Sequence, residues 1–193
     1  MKNPRVSVIK NNIEEGSRIP TPTQDCDIGH WADQEMAKKG HKIDPNGLVD
    51  MPEYNADNKT RKKGSKANHT VGSMTIADIL KTPNWKDTRY SCKTQNQNQI
   101  VWDPDFMKVS SVNLLDMDID LIQEKLEEGY TEVRDQLLAG DRSKEIKSAN
   151  GWVVLDGYGH SKSYRMRIPN TAMKKIHNIS GSRDTFIKHF EEV

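Results

Sequence analysis

With 193 residues, 34% hydrophobic and 30% charged, the chain suits one domain of ordinary size with a modest core and a very polar surface. Its 29 Lys and Arg against 28 Asp and Glu leave a net charge of +1, which decides nothing about nucleic acid, because phosphate is bound by clustered charge. Two cysteines, Cys26 and Cys92, in no metal-ligand spacing argue against a disulfide framework or a zinc site and fit a reducing compartment. No apolar run reaches the roughly 20 residues of a membrane span, and the charged start has no apolar signal core. A soluble, cytoplasmic protein with no membrane partner is expected.

Along the chain, residues 1–28 are polar and turn-rich and read as an N-terminal arm, followed by a single domain over 29–193. Residues 29–40 are predicted helical, with Trp31, Met36 and Ala37 toward a core and Gly40 as the stop. Asn46-Gly47 marks a turn. Residues 48–51 form a short strand halted by Pro52, and 54–60 a second strand. A basic loop over 61–72 precedes a short helix capped by Thr75. Residues 99–102 read as a buried strand with 107–112 as its neighbour. The clearest helix is 118–138, where Ile119, Ile122, Leu126, Tyr130, Val133 and Leu137 recur at spacings of three and four behind an Asp118 cap. Residues 152–155 and 164–168 flank a Gly-containing turn and read as a hairpin, and 183–190 as a closing helix. Strands adjacent in sequence between helices predict an α/β fold, a mixed β-sheet flanked by α-helices.

The chemistry-bearing residues lie on the first two strands. Side chains alternate along a strand, so Asp57 and Lys59 share a face, and a turn through Pro52 and Glu53 returns Asp50 toward them. Paired carboxylates suit a hard divalent cation such as Mg²⁺, which activates water and neutralises charge on a scissile phosphate. A lysine beside them orients the water or stabilises the pentavalent phosphate. As a bare pattern, an acid followed by acid-x-Lys also fits a solvated turn with its charges outward.

The longer string Asp50-Met-Pro-Glu-Tyr-Asn-Ala-Asp57-Asn-Lys59-Thr60 resembles the PD-(D/E)XK endonucleases, in particular the mismatch-repair endonuclease MutH and related GATC-cutting restriction enzymes. Their motif runs Asp-aromatic-Pro-Glu, then Glu-x-Lys-Thr. The resemblance covers about residues 29–170, strong at the motif and loose elsewhere, with Trp85, Thr88, Lys93 and Trp102 following the family's downstream pattern. It implies a restriction-endonuclease-like fold and Mg²⁺-dependent, sequence-specific hydrolysis of double-stranded DNA. Asp50 and Asp57 would be metal ligands, with Lys59 catalytic and Lys93 a further catalytic or phosphate-contacting lysine. Glu35 reads either as a surface charge or as the acid that this family carries on its first helix, facing the metal. Asp57 stands where the family has Glu, one methylene longer. Asn58 stands where an apolar residue is usual, so the strand is expected to be more exposed there. A rival layout with Lys93 as the motif lysine has Ser91 where an acid is needed.

The cluster Arg61, Lys62, Lys63, Lys66 and His69 concentrates positive charge behind the motif, as phosphate neutralisation requires. Arg165 and Arg167 belong to a second basic set with Lys174 and Lys175. Gln95, Gln97 and Asn98 read either as base-edge contacts or as loop polar groups. Enzymes of this family that cut both strands often work as homodimers. A structure-specific PD-(D/E)XK nuclease and a non-catalytic DNA-binding module stay open beside the sequence-specific enzyme.

Overall fold

The computed structural model describes residues 12–24, 27–157 and 162–180. The architecture is mixed α/β, with two sheets flanked by helices. Contacts divide the chain into two compact units. Among the described residues, one comprises those up to Ser65 with Gln95–Asp116 and Ser180; the other comprises those within Lys66–Thr94 and Met117–Ile179. The residues expected to form one domain over 29–193 are thus distributed over both units.

The first unit is built on helix α1 (Asp27–Lys38) and a three-stranded mixed sheet. Strand β1 (Ala56–Lys62) runs parallel to β3 (Asn96–Asp103), which pairs antiparallel with β4 (Lys108–Asp116). One face of this sheet is apolar. Ile100, Trp102, Val112 and Leu114 pack there with Ile28, Ala32 and Met36 of α1, the i, i+4, i+8 stripe that an amphipathic helix buries. Trp31 is partly buried against this core, whereas Ala37 is exposed. At the end of α1, Gly40 takes φ +90 while the amides of Gly40 and His41 return to the carbonyls of Ala37 and Met36. Glycine stops a helix in this way because it enters the left-handed region without a Cβ penalty.

The described part of the expected arm is no free arm. Ile13 and Ile19 are buried in the same core, and the backbone of residues 16–19 bonds to that of Met107 and Val109. Two isolated isoleucines among polar residues leave no periodic signal, which is why the segment reads as extended from sequence.

The second unit holds an antiparallel sheet in the order β2 (His69–Thr75), β7 (Ser163–Ile168), β6 (Val154–Asp156), β5 (Glu145–Lys147). The predicted hairpin is β6–β7. Helix α2 (Ile76–Lys81) begins at Thr75, whose hydroxyl accepts from the Asp78 amide, as expected of a cap. Helix α3 (Asp120–Leu138) buries Ile122, Leu126, Tyr130, Val133 and Leu137. The N-cap position is Ile119, without a side-chain bond, where Asp118 was expected. Helix α4 (Asn170–Ser180), for which no element was predicted from the sequence, carries Lys174 and Lys175. The predicted closing helix at 183–190 lies outside the described residues. Among the described residues, no helix is long and apolar enough to cross a membrane.

Candidate functional site

The predicted strand at 48–51 is absent; a folded-back loop takes its place and does more for the site. Asp44 and Asp50 are bonded through backbone, and a single 3-10 turn at Pro52–Tyr54 follows. The turn ends at Asn55 in the left-handed region (φ 48), which Asn tolerates better than most residues. Met51 then pairs with Ala56 across the loop in an isolated bridge. The result returns Asp50 to the free edge of β1, where its Oδ2 accepts the Asn58 backbone N–H at 2.8 Å.

Asp57 is fully buried on β1 and ion-paired with Lys59, whose side chain is 23% exposed. The Asp57 carboxylate lies close enough to Asp50 to raise its carboxyl. A third acid comes from α1: Asp33 Oδ1 accepts from the Asn58 amide at 2.9 Å. Asn58 is itself buried, and its carbonyl oxygen accepts from Asn98 at 3.0 Å. Asn98 in turn exchanges both side-chain bonds with Asn12 at 2.6 and 2.9 Å. The position where an exposed strand was expected is therefore a closed polar ladder, Asn12–Asn98–Asn58–Asp33. Its amides are satisfied by one another, the condition under which buried polar groups are tolerated.

The electrostatics follow from this crowding. Burial, then the Asp57 charge and hydrogen bond, then Asp33, push the Asp50 carboxyl up to about 7. Burial raises Asp33 as well, with the Asn58 hydrogen bond opposing it and Asp57 adding to it. Fully ionised, three carboxylates and one ammonium leave a charge of −2, which one divalent cation balances.

Among the described residues, no group of three or more His, Cys, Asp or Glu side chains stands ready as a metal cage. Mg²⁺ is ordinarily held by only one or two carboxylates, keeping several waters and substrate oxygens. The Asp50–Asp57 pair meets that smaller requirement. No protein-family model matches the chain, and no curated protein matches it in sequence.

Not every expected residue joins this cluster. Glu35 points instead to Lys38, one turn on, at 2.5 Å; the helix acid at the site is Asp33, two positions earlier. Asp33 and Glu35 flank the buried Ile28–Ala32–Met36 stripe on opposite sides and are both half-buried, so helical spacing alone does not single out Asp33. Lys93 lies in the second unit, on a short 3-10 turn at Ser91–Thr94.

Several expected DNA contacts are already engaged. The Arg61 guanidinium donates to the Ser65 carbonyl at 2.6 Å, and burial lowers its pKa. Lys63 pairs with Asp103 at 3.0 Å, and Lys62 sits 5.6 Å from the Trp102 ring centre. In the second unit, Arg165 and Arg167 share Asp156 at 3.1 and 3.0 Å, His69 is buried, and Lys66 is exposed. Gln97 and Asn98 are buried within β3, and Gln95 bonds Asn55, so these amides do not form an exposed loop. The second unit also has a cleft lined by Lys86, Gln123 and four acids, including Glu127. That lining repels phosphate, and Glu127 is occupied by the backbone amides of Trp85 and Lys86.

Proposed function

We propose that the chain is a Mg²⁺-dependent endonuclease of the PD-(D/E)XK kind, with a restriction-endonuclease-like core, that hydrolyses phosphodiesters of double-stranded DNA. The observation that carries this reading is the bond from the Asn58 backbone N–H to Asp50, eight positions earlier, which returns a second acid to the strand of Asp57 and Lys59. Two further facts support it: the raised carboxyls of Asp50 and Asp33, and the engagement of Lys59 by a buried acid. A buried ion pair contributes little to stability by itself, so folding alone gives weak reason for this arrangement.

Asp50 and Asp57 would hold the ion, which when bound supplies Lewis-acid polarisation of phosphate and a more acidic water. Lys59 keeps Asp57 in place and offers its ammonium to the charge that develops on the phosphate. Asp33, fixed by Asn58, fills the part the family resemblance gives to a helix acid, in place of Glu35. For Lys93, on the second unit, a phosphate-contacting role is what the resemblance alone implies. Lys62 and Lys66 are the exposed cations through which DNA is attracted. Intracellular action on DNA follows, with a homodimer where both strands are cut.

Incubation of plasmid DNA with the protein tests this. Discrete products are expected in Mg²⁺, with none in EDTA and at least about 10²-fold slower cleavage by Lys59→Ala, the loss typical of removing one charge-stabilising group. Products only from junction or flap substrates would assign a structure-specific nuclease. DNA binding without cleavage, unchanged in EDTA, would replace the enzyme by a binding module.

A further inference from the structure

Strand β3 carries a buried group that the mechanism above leaves unused. In the parallel register Asp57 stands beside Gln97 and Lys59 beside Gln99. Paired residues on neighbouring strands project to the same face, and the strands lie about 4.8 Å apart. Gln99 therefore shares the face of Asp57 and Lys59, opposite the face on which Asn98 and Asn58 form their ladder. It is only 2% exposed, and its Nε2 has no hydrogen-bond partner.

The contrast with its neighbour is informative. Asn98, one position earlier and equally buried, has every amide atom engaged. A buried donor left unmade opposes folding, and an apolar side chain of similar size would avoid that cost. Gln99 stands beside Lys59 in the strand register, on the face that carries Asp57 and Lys59. A neutral N–H donor suits a phosphate oxygen there, since it attracts the anion without competing for the carboxylates as a third cation would.

We propose that Gln99 is a substrate-contacting residue, its side-chain amide donating to a non-bridging oxygen of the phosphate on which Asp50, Asp57 and Lys59 act. The inference rests on the nuclease reading and extends it by one residue. The group forms no covalent bond and moves no proton; it stabilises charge on the phosphate as the water attacks.

Once the cut site is mapped on a duplex, kcat/KM is measured for the full-length protein and for Gln99→Leu and Gln99→Glu, neither of which carries the donor. Each substrate is compared with single phosphorothioates of both configurations at the scissile position. Thermal melts identify a variant that does not fold, in which case Gln99→Met, unbranched and of similar volume, takes its place. The expected result is a loss of about 10²-fold in kcat/KM with melting preserved, together with a thio effect at one configuration that shrinks in the variants. Unchanged cleavage by folded variants overturns the assignment and leaves the nuclease reading intact. So does a loss in which both thio effects persist at wild-type size, because the amide would then act on another group. No cleavage by the wild-type protein overturns the nuclease reading and this inference with it.

Discussion

At the scale of single residues, the site is a contest between desolvation and charge pairing. Asp50 has a folded-state carboxyl near 7 against an ordinary value of 3.8. Between those values the folded protein holds a proton that the unfolded chain has released, so stability falls as pH rises through this window and levels off above it. Melting in EDTA from pH 4 to pH 8 is expected to show that decline. Asp50→Asn should flatten it and melt higher than the wild type at pH 8, because the amide oxygen still accepts from Asn58 while the charge is gone. Equal slopes for the two proteins would remove Asp50 from the coupled group. The two helix acids separate in the same way. Asp33→Asn should slow Mg²⁺-dependent cleavage by about tenfold or more, as when a group around a metal site is lost. Glu35→Gln should cleave at the wild-type rate, since Glu35 engages only Lys38. A reversal in the cleavage assay would restore Glu35 to the metal.

At the scale of elements, side-chain periodicity was readable and local polar architecture was not. Helix α3 follows from its three-and-four apolar spacing, α2 from the Thr75 cap, and the β6–β7 hairpin from two apolar runs around a turn. The loop at 48–55 resembles a strand because four residues carry too little pattern to distinguish a pleat from a fold-back. Helix α4 went unread although its signal is present, since Ala172, Met173, Ile176 and Ile179 recur at helical spacing just after Pro169. Of the site, Asp50, Asp57 and Lys59 were legible as a motif, whereas Asp33 and the asparagine ladder were not, since a hydrogen bond between residues 25 or 40 positions apart leaves no local trace. The ladder should be costly to break. Asn98→Ala strands amide groups of Asn12 and Asn58, and chemical denaturation should show a loss of about 1–3 kcal/mol. Helix α3 makes a sharper prediction at Gly129. Propensity alone favours alanine by about 1 kcal/mol. An added Cβ, however, would lie 2.9 Å from Asn150 Oδ1 and Val153 Cγ2, and Asn150 cannot retreat because it bonds Ser148, Trp152 and the Lys125 carbonyl. Overpacking costs about 1–3 kcal/mol, so Gly129→Ala should lower stability in the same assay. A gain would mean the contact relaxes freely.

At the scale of the whole molecule, a net charge of +1 gives no general attraction for DNA, and many of the basic residues already have internal acids. Binding should therefore lean on a few exposed lysines. In catalytically silent Ca²⁺ or EDTA conditions, log affinity should fall linearly with log salt, and Lys66→Ala should reduce that slope by about one. The functional claim reduces to Asp57, the acid that is fully buried, ion-paired with Lys59 and whose charge raises the Asp50 carboxyl. Its most direct test is the rate of plasmid cleavage in Mg²⁺ by wild-type protein and by Asp57→Asn, which keeps the shape and removes the charge. A metal-dependent nuclease of this design cleaves in the first case and falls by about 10³-fold or more in the second, with folding intact. Equal cleavage by both proteins, or none by the wild type on any DNA, would contradict it.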